Sequence, residues 1–534
     1  MVEVLKSSFE GILPVIEACI KDCSFIAIDT EFTGLSSNEL NKNSLFDDGA
    51  ARYIKQKDHI KQVTVSQIGI SIFTEVPKEN RYEASTFNFF LFPVSIGPVD
   101  VRFTCQSSSL RFLCQHNFDF NKFVYDGIPY LNEEQEILFH QALDDSLMVF
   151  ESENNFDRRE MKLLSTTIAE WLATAKEEDT IRLEKPAGVS DYSIYTQLRQ
   201  TFPGISICCK DDTHVECQKL EESKRISKQL DEQEKERILD GILGFTRVFR
   251  LMVKHRKPLI GHNCMMDLMF IYEKFYRPLP DKYADFKRTL NELFPFLIDT
   301  KHVSSHLRPQ FKETELFNNT GLMNLYQAFS SKEGMYIVLF SPSVSHSHAY
   351  TRYKNKSMIH EAGYDAYMAG YIFVRLAHLV AMQGVSSLVA TPLTHRQHWV
   401  AMKPYIGAIN VIRASINHIS IEGPDPVSVR PEWLLVQSKK RAYPLKPLQL
   451  EGMFSAYGSV DVLLQGNREA LVAVGNHRCA KDILTAFKSH NCLRVTKYVA
   501  WKHSPVARSL LWTSALMSGG VCAWLVWSAS KKDS

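Results

Sequence analysis

The chain lacks most of the signatures that assign a protein quickly. Its 11 cysteines contain no C-x2-C pair and add to an odd number, so neither a zinc module nor a closed disulfide framework is indicated. Reduced thiols in a cytosolic compartment fit that pattern better. A net charge of only +2 supplies no global attraction for a polyanion, and any basic surface has to be local. The opening stretch is expected to be an amphipathic helix rather than a signal peptide, since Glu3, Lys6 and Glu10 interrupt any apolar core. Charge is also absent from Ser509 to Ser530, a run edged by Trp512, Trp524 and Trp527 and flanked by Arg508 and Lys531–Lys532. About 20 apolar residues cross a bilayer as a helix, so this run is expected to be a tail-anchor span that leaves the preceding chain facing the cytosol. Its hydroxyls and glycines make it only moderately apolar, and its flanks do not choose between the endoplasmic reticulum and the mitochondrial outer membrane.

What is present is a folded-protein composition, 45% hydrophobic and 23% charged over 534 residues, too long for one core and suited to roughly two to four domains. The chain is organised around Phe25–Gly34, FIAIDTEFTG. Asp29 and Glu31 lie two apart and share one face of a strand whose apolar neighbours Ile26, Ala27, Ile28 and Phe32 mark it as buried on both sides. Paired carboxylates out of water repel each other, and a cation is their natural partner; a strand running into an acidic turn is the plain alternative.

Around this strand the expected fold is α/β, a mixed sheet with flanking helices. Val63–Phe73 and Ala84–Val94 read as two further strands joined by a charged turn. The α/β domain takes 1–159 and resumes at 241–385, interrupted by an α+β insert at 160–240 that carries a long helix charged with both signs. After a linker around 385–397, residues 402–503 alternate strands and helices in a ferredoxin-like order with one strand more than the minimum. The last element is the expected transmembrane helix at 509–530.

Two further short motifs complete the chemistry. In GHNCMMD, Asn263 ends a strand and Asp267 sits on the first turn of the following helix; in HEAGYD, His360 and Asp365 are placed within one apolar-periodic helix. D-x-E, N-x3-D and H-x4-D in this order resemble the DEDD superfamily of 3′-to-5′ exonucleases in its histidine-bearing subclass, which implies a ribonuclease-H-like nuclease fold for 1–159 and 241–385; Glu361 stands where the other subclass needs tyrosine. The strings FDFNKFVYDGIPYLNEEQE, GHNCMMDLMFIYEKFYRPLP, LIDTKH and HEAGYDAY further resemble the poly(A)-specific ribonuclease family, closest to its membrane-anchored branch that trims precursors of Piwi-interacting RNA, and INHISIEGPD with GMFSAYG resembles its RNA-recognition-type domain, here at 402–503.

That resemblance implies two Mg²⁺ ions, roughly 3.5–4 Å apart, held by Asp29, Glu31, Asp267 and Asp365, and His360 as the base for the attacking water. It implies a single-stranded RNA 3′ end as substrate, released as 5′-mononucleotides, with Asn263, Lys301 and Asn319 near the RNA and Asp299 supporting the metal ligands. Phe32 is either a surface for the terminal nucleotide or core filling. By the same resemblance a homodimer and a Piwi or Tudor-type scaffold are expected partners. Departures are also visible. The strand REALVAVG offers no ring to a base, Leu445 falls where the family places a cap-binding tryptophan, and Lys439, Lys440 and Arg441 are the one dense basic cluster nearby. Cap binding is therefore not expected, and dimerisation or partner docking fits this domain better. General deadenylation, and a catalytically silent RNA-tethering scaffold, remain open alternatives.

Overall fold

The computed structural model describes residues 2–35, 42–76, 78–144, 155–186, 188–209, 213–220, 228–314, 317–332, 334, 340–347, 358–383, 392–440 and 443–530. They fall into two compact units. One comprises Met1–Lys42, Tyr53–Val411 and His418–Asp425; the other comprises Asn43–Arg52, Ile412–Asn417 and Pro426–Ser534.

The first unit is built on a seven-stranded mixed sheet. Phe25–Phe32 lies in its interior, antiparallel to Val65–Val76 on one side and parallel to Leu259–Gly261 on the other, with Leu297–Asp299 beyond. On the far flank, Arg81–Phe90 pairs in parallel with both Val2–Val4 and Ser343–His346. The buried-strand reading of FIAIDTEF holds, since Phe25 to Ile28 are all buried. Phe25 stacks on Phe73 at 4.7 Å and meets the edge of Phe373 at 4.8 Å.

Across the sheet lies the helix Ala362–Gln383, buried on every side from Ala362 to Leu379. A helix with no solvated face is a core element, and each large apolar side chain in it contributes about 1.5–3 kcal/mol by leaving water. Its close approach is made possible by two glycines. A Cβ on Gly69, in the strand facing Asp29, would sit 1.9 Å from the Ala362 carbonyl oxygen, and one on Gly370 would sit 2.1 Å from the Phe73 ring. The helix start is fixed by side chains of the sheet: the Gly363 N–H donates to Asn88 Oδ1 at 2.9 Å, and the Ala362 N–H to Gln67 Oε1 at 3.4 Å.

The same unit holds a second core around the three-stranded antiparallel sheet of Thr180–Glu184, His214–Lys219 and Ile205–Cys208. Tyr192, Ile194 and Leu198 from one helix pack there with Ile238 and Ile242 from the charged helix Lys228–Leu243, and Phe139 of Glu133–Asp144 joins them.

In the second unit, Leu434–Ser438, Pro447–Ser455, Val460–Leu464, Glu469–Val474, His477–Ala486 and Leu493–Lys497 follow one another as strand, helix, two strands, helix and strand in a four-stranded antiparallel sheet. The additional strand expected at INHISIEG pairs instead with Ala408–Asn410 in a separate two-stranded hairpin. Leu445 is a core residue, 5% exposed and packed with Leu434, Phe454 and Val472, while Arg441 lies outside the described residues. Asn43–Arg52 is built into this unit: the Leu45 N–H donates to Asp461 at 2.6 Å, and Phe46 meets Trp433 edge-on at 5.2 Å.

Pro505–Ser530 is helical, and among the described residues no helix is long and apolar enough to cross a membrane, so the expected tail-anchor span and membrane partner gain no support from the structure. Within this helix the Thr513 and Ser518 hydroxyls bond back to carbonyls one turn earlier at 2.8 and 2.7 Å.

Candidate active site

The sheet and helices bring the three sequence motifs together. Asp29 and Glu31 project from the interior strand opposite Gly69 and Gln67, just before an irregularity between Glu31 and Phe32. Asp267 comes from the first turn of Met265–Ile271, which follows Leu259–Gly261 directly. Asp365 comes from the first turn of the buried helix. Glu31, His360 and Asp365 offer ligand atoms that all lie within 4.8 Å of one another, the one such group among the described residues.

His360 is placed differently from the expectation. The helix begins at Ala362, and His360 precedes it in a turn with a left-handed backbone, φ 64°. From there its N–H donates to Asp365 Oδ1 at 3.4 Å, and its Nδ1 lies 4.0 Å from Asp365 Oδ2. The helix cannot run back through His360 in that conformation, which L residues rarely adopt.

The carboxylates burden one another. Burial, and then the fields of Asp365, Asp267 and Glu31, hold Asp29 well above the usual carboxylate range. Burial and the same two aspartates do so for Glu31. Asp365 is pushed up to about 7 by burial, opposed by the N–H of His360. Asp267 reaches about 6 by burial, opposed by its bond from the Thr30 hydroxyl. His360 is moved down, by burial and by the neighbouring His116, so its imidazole is neutral at neutral pH. Four acids that cannot all ionise without a counter-charge fit a hard divalent cation with oxygen ligands.

Asp299 does other work. Fully buried at the end of Leu297–Asp299, it accepts N–H bonds from Asn263 at 2.8 Å, Lys301 at 2.9 Å, Asn410 at 2.9 Å and Cys264 at 3.3 Å. It thereby fixes the turn that delivers Asp267. Asn263 adopts φ 60° in that turn, and its Oδ1 accepts from the Asn410 amide at 2.8 Å. Lys301 donates to the Thr320 carbonyl at 2.6 Å, and exposed Asn319 accepts from the Gly321 N–H at 2.8 Å, so these two residues share one local turn. Phe32 stacks on buried Phe270 at 4.2 Å and is half-buried itself.

Sequence reasoning missed Thr30, Asn410, Phe112 and His116. Thr30 was visible between the two acids of D-T-E; Asn410 belongs to no motif and reaches the site only through the fold.

A mixed sheet whose interior strand gathers carboxylates from three separate segments, with a histidine beside them, defines a phosphodiester-cleaving exonuclease of the DEDD class. The CAF1 family ribonuclease model matches residues 4–373, and the chain belongs to that family as an exoribonuclease. It is 31% identical to the pre-piRNA 3′-exonuclease trimmer of Bombyx mori, covering 98% of both chains. It is 35% identical to poly(A)-specific ribonuclease PNLDC1 of Homo sapiens over 94% of this chain and 96% of that one. Human poly(A)-specific ribonuclease PARN is 29% identical over 93% of this chain and 80% of its own length.

Proposed function

We propose that the protein shortens single-stranded RNA from its 3′ end with divalent cations, releasing 5′-mononucleotides, and that piRNA precursors are its substrates. The observation that carries the chemistry is the cluster of Asp29, Glu31, Asp267 and Asp365, whose protonation behaviour asks for a counter-charge. The choice of substrate is supported by near full-length likeness to the silkworm trimmer.

Those four carboxylates would hold two Mg²⁺ ions, which stabilise charge on the phosphorane and activate water when bound. The chain's own contributions are separable. Asp29 and Glu31 offer oxygens from a fixed strand, and Asp267 and Asp365 bring theirs from two helix starts. Neutral His360 accepts the proton of the attacking water, with the Asp365 carboxylate beside it to stabilise the imidazolium that forms. The leaving 3′ oxygen of the penultimate nucleotide takes its proton from solvent. Asn263, Lys301 and Asn319 are assigned to the RNA by family likeness, and Phe32, beside the carboxylates, as an apolar surface for the terminal nucleotide.

The test compares trimming of oligo(A) and mixed-sequence RNA in Mg²⁺, with a 2′-O-methylated 3′ end as control. Comparable shortening of both unmodified RNAs and resistance of the methylated one are expected. Shortening of oligo(A) alone would make the protein a deadenylase. Asp29→Ala and Asp365→Ala are expected to lower the rate at least about a thousandfold with an unchanged circular-dichroism spectrum; full activity in either would refute this site.

A further inference from the structure

We infer that His116 is a positioning residue: its ring sets the orientation of the His360 imidazole beside Asp365. The inference rests on the reading of His360 as the base and adds the element that holds it. His360 stands in a left-handed turn ahead of the helix, 37% of its side chain exposed, where helix packing does not select a rotamer. Asp365 does not fix the ring either, because 4.0 Å to Nδ1 is longer than a hydrogen bond.

Rings do. His116 lies 4.2 Å from His360 between centroids at 60°, and Phe112 lies 4.7 Å away at 70°. Phe112 and His116 also meet each other at 4.6 Å and 54°. They are one helical turn apart, at the end of Ser107–Gln115 and on its C-terminal cap, a spacing that presents both on the same side. The imidazole meets both rings edge to face, the arrangement that ring quadrupoles favour, and is left few orientations. The cap itself is anchored, since the His116 N–H donates to the Leu113 carbonyl at 3.0 Å. Placement matters because proton transfer requires the acceptor within hydrogen-bond reach of the water, and a misplaced base loses rate without losing substrate.

The experiment uses the full chain and steady-state trimming of a mixed-sequence RNA. His116→Ala is expected to lower kcat about three- to tenfold while KM stays within about twofold. His116→Phe, which keeps a ring, is expected to restore kcat to within about twofold of the parent. In a His360→Ala background, His116→Ala is expected to add nothing, because its effect passes through His360. An unchanged kcat in His116→Ala, a rise in KM alone, failure of His116→Phe to restore the rate, or additive losses in the double variant would each overturn the assignment. His360→Ala at the parental rate would instead refute the base itself, and that variant is measured separately.

Discussion

At the scale of single residues, the site is a problem in proton bookkeeping. Without metal, Asp267 and Asp365 keep protons up to about 6 and about 7, which the unfolded chain releases at about 4. Between those values the folded state binds more protons than the unfolded one, so stability falls as pH rises. In EDTA, the thermal midpoint is therefore expected to drop between about pH 4 and pH 7, and saturating Mg²⁺ to flatten the slope by binding only the folded, ionised site. Asp365→Asn is expected to shrink the drop and raise the metal-free midpoint at high pH by roughly a few degrees. The measurement is calorimetry across pH with and without cation; an undiminished slope in Asp365→Asn would mean that this carboxyl does not retain its proton.

Elements explain why these residues meet. The buried helix can lie on the sheet because Gly69 carries no side chain where the Ala362 carbonyl arrives. Gly69→Ala is expected to cost about 1–3 kcal/mol or more, as overpacking of a tight core does, and to lower trimming further than its effect on stability requires, since it lifts Asp365 from Asp29. Unfolding in urea together with kcat checks both parts; a parental rate and midpoint would show that the contact is slack. This is also the scale at which reading from sequence succeeds and fails. FIAIDTEF is legible because apolar flanks on both sides of two acids have one structural meaning, and Asp267 because G-H-N marks a strand end. The start of the helix at Ala362 is illegible, because Met358 and Ile359 continue the apolar pattern while the chain turns left-handed at His360. Asp299 looks like another metal ligand in LIDTK, and only its four N–H donors reveal an anchor.

At the scale of the whole molecule, the division into units does not follow chain order. Asn43–Arg52 belongs with the C-terminal unit, where Leu45 is buried and the Arg52 guanidinium bonds the Asp47 carboxylate and the Ile412 and Arg413 carbonyls. Arg52 is 2% exposed, and a buried cation stripped of its partners is costly. A protein ending at Asp425 keeps Asp47, Ile412 and Arg413 but loses Asp461, Trp433 and the sheet beside Leu45. It is expected to unfold at a markedly lower temperature than the full chain and to aggregate, although every carboxylate of the site is still encoded. A soluble, fully active truncation would show that the segment folds without the unit it is built into.

The glycine that admits the helix also marks where the site is closed last in chain order. The strand bearing Asp29 and Glu31 precedes its partner Val65–Val76 closely, whereas its other partner, Leu259–Gly261, and the helix that covers Gly69 follow much later in the sequence. A domain made from its N-terminal end onward is therefore expected to hold the acid pair before it holds Asp267 and Asp365, so the cage is completed only when those later segments have docked.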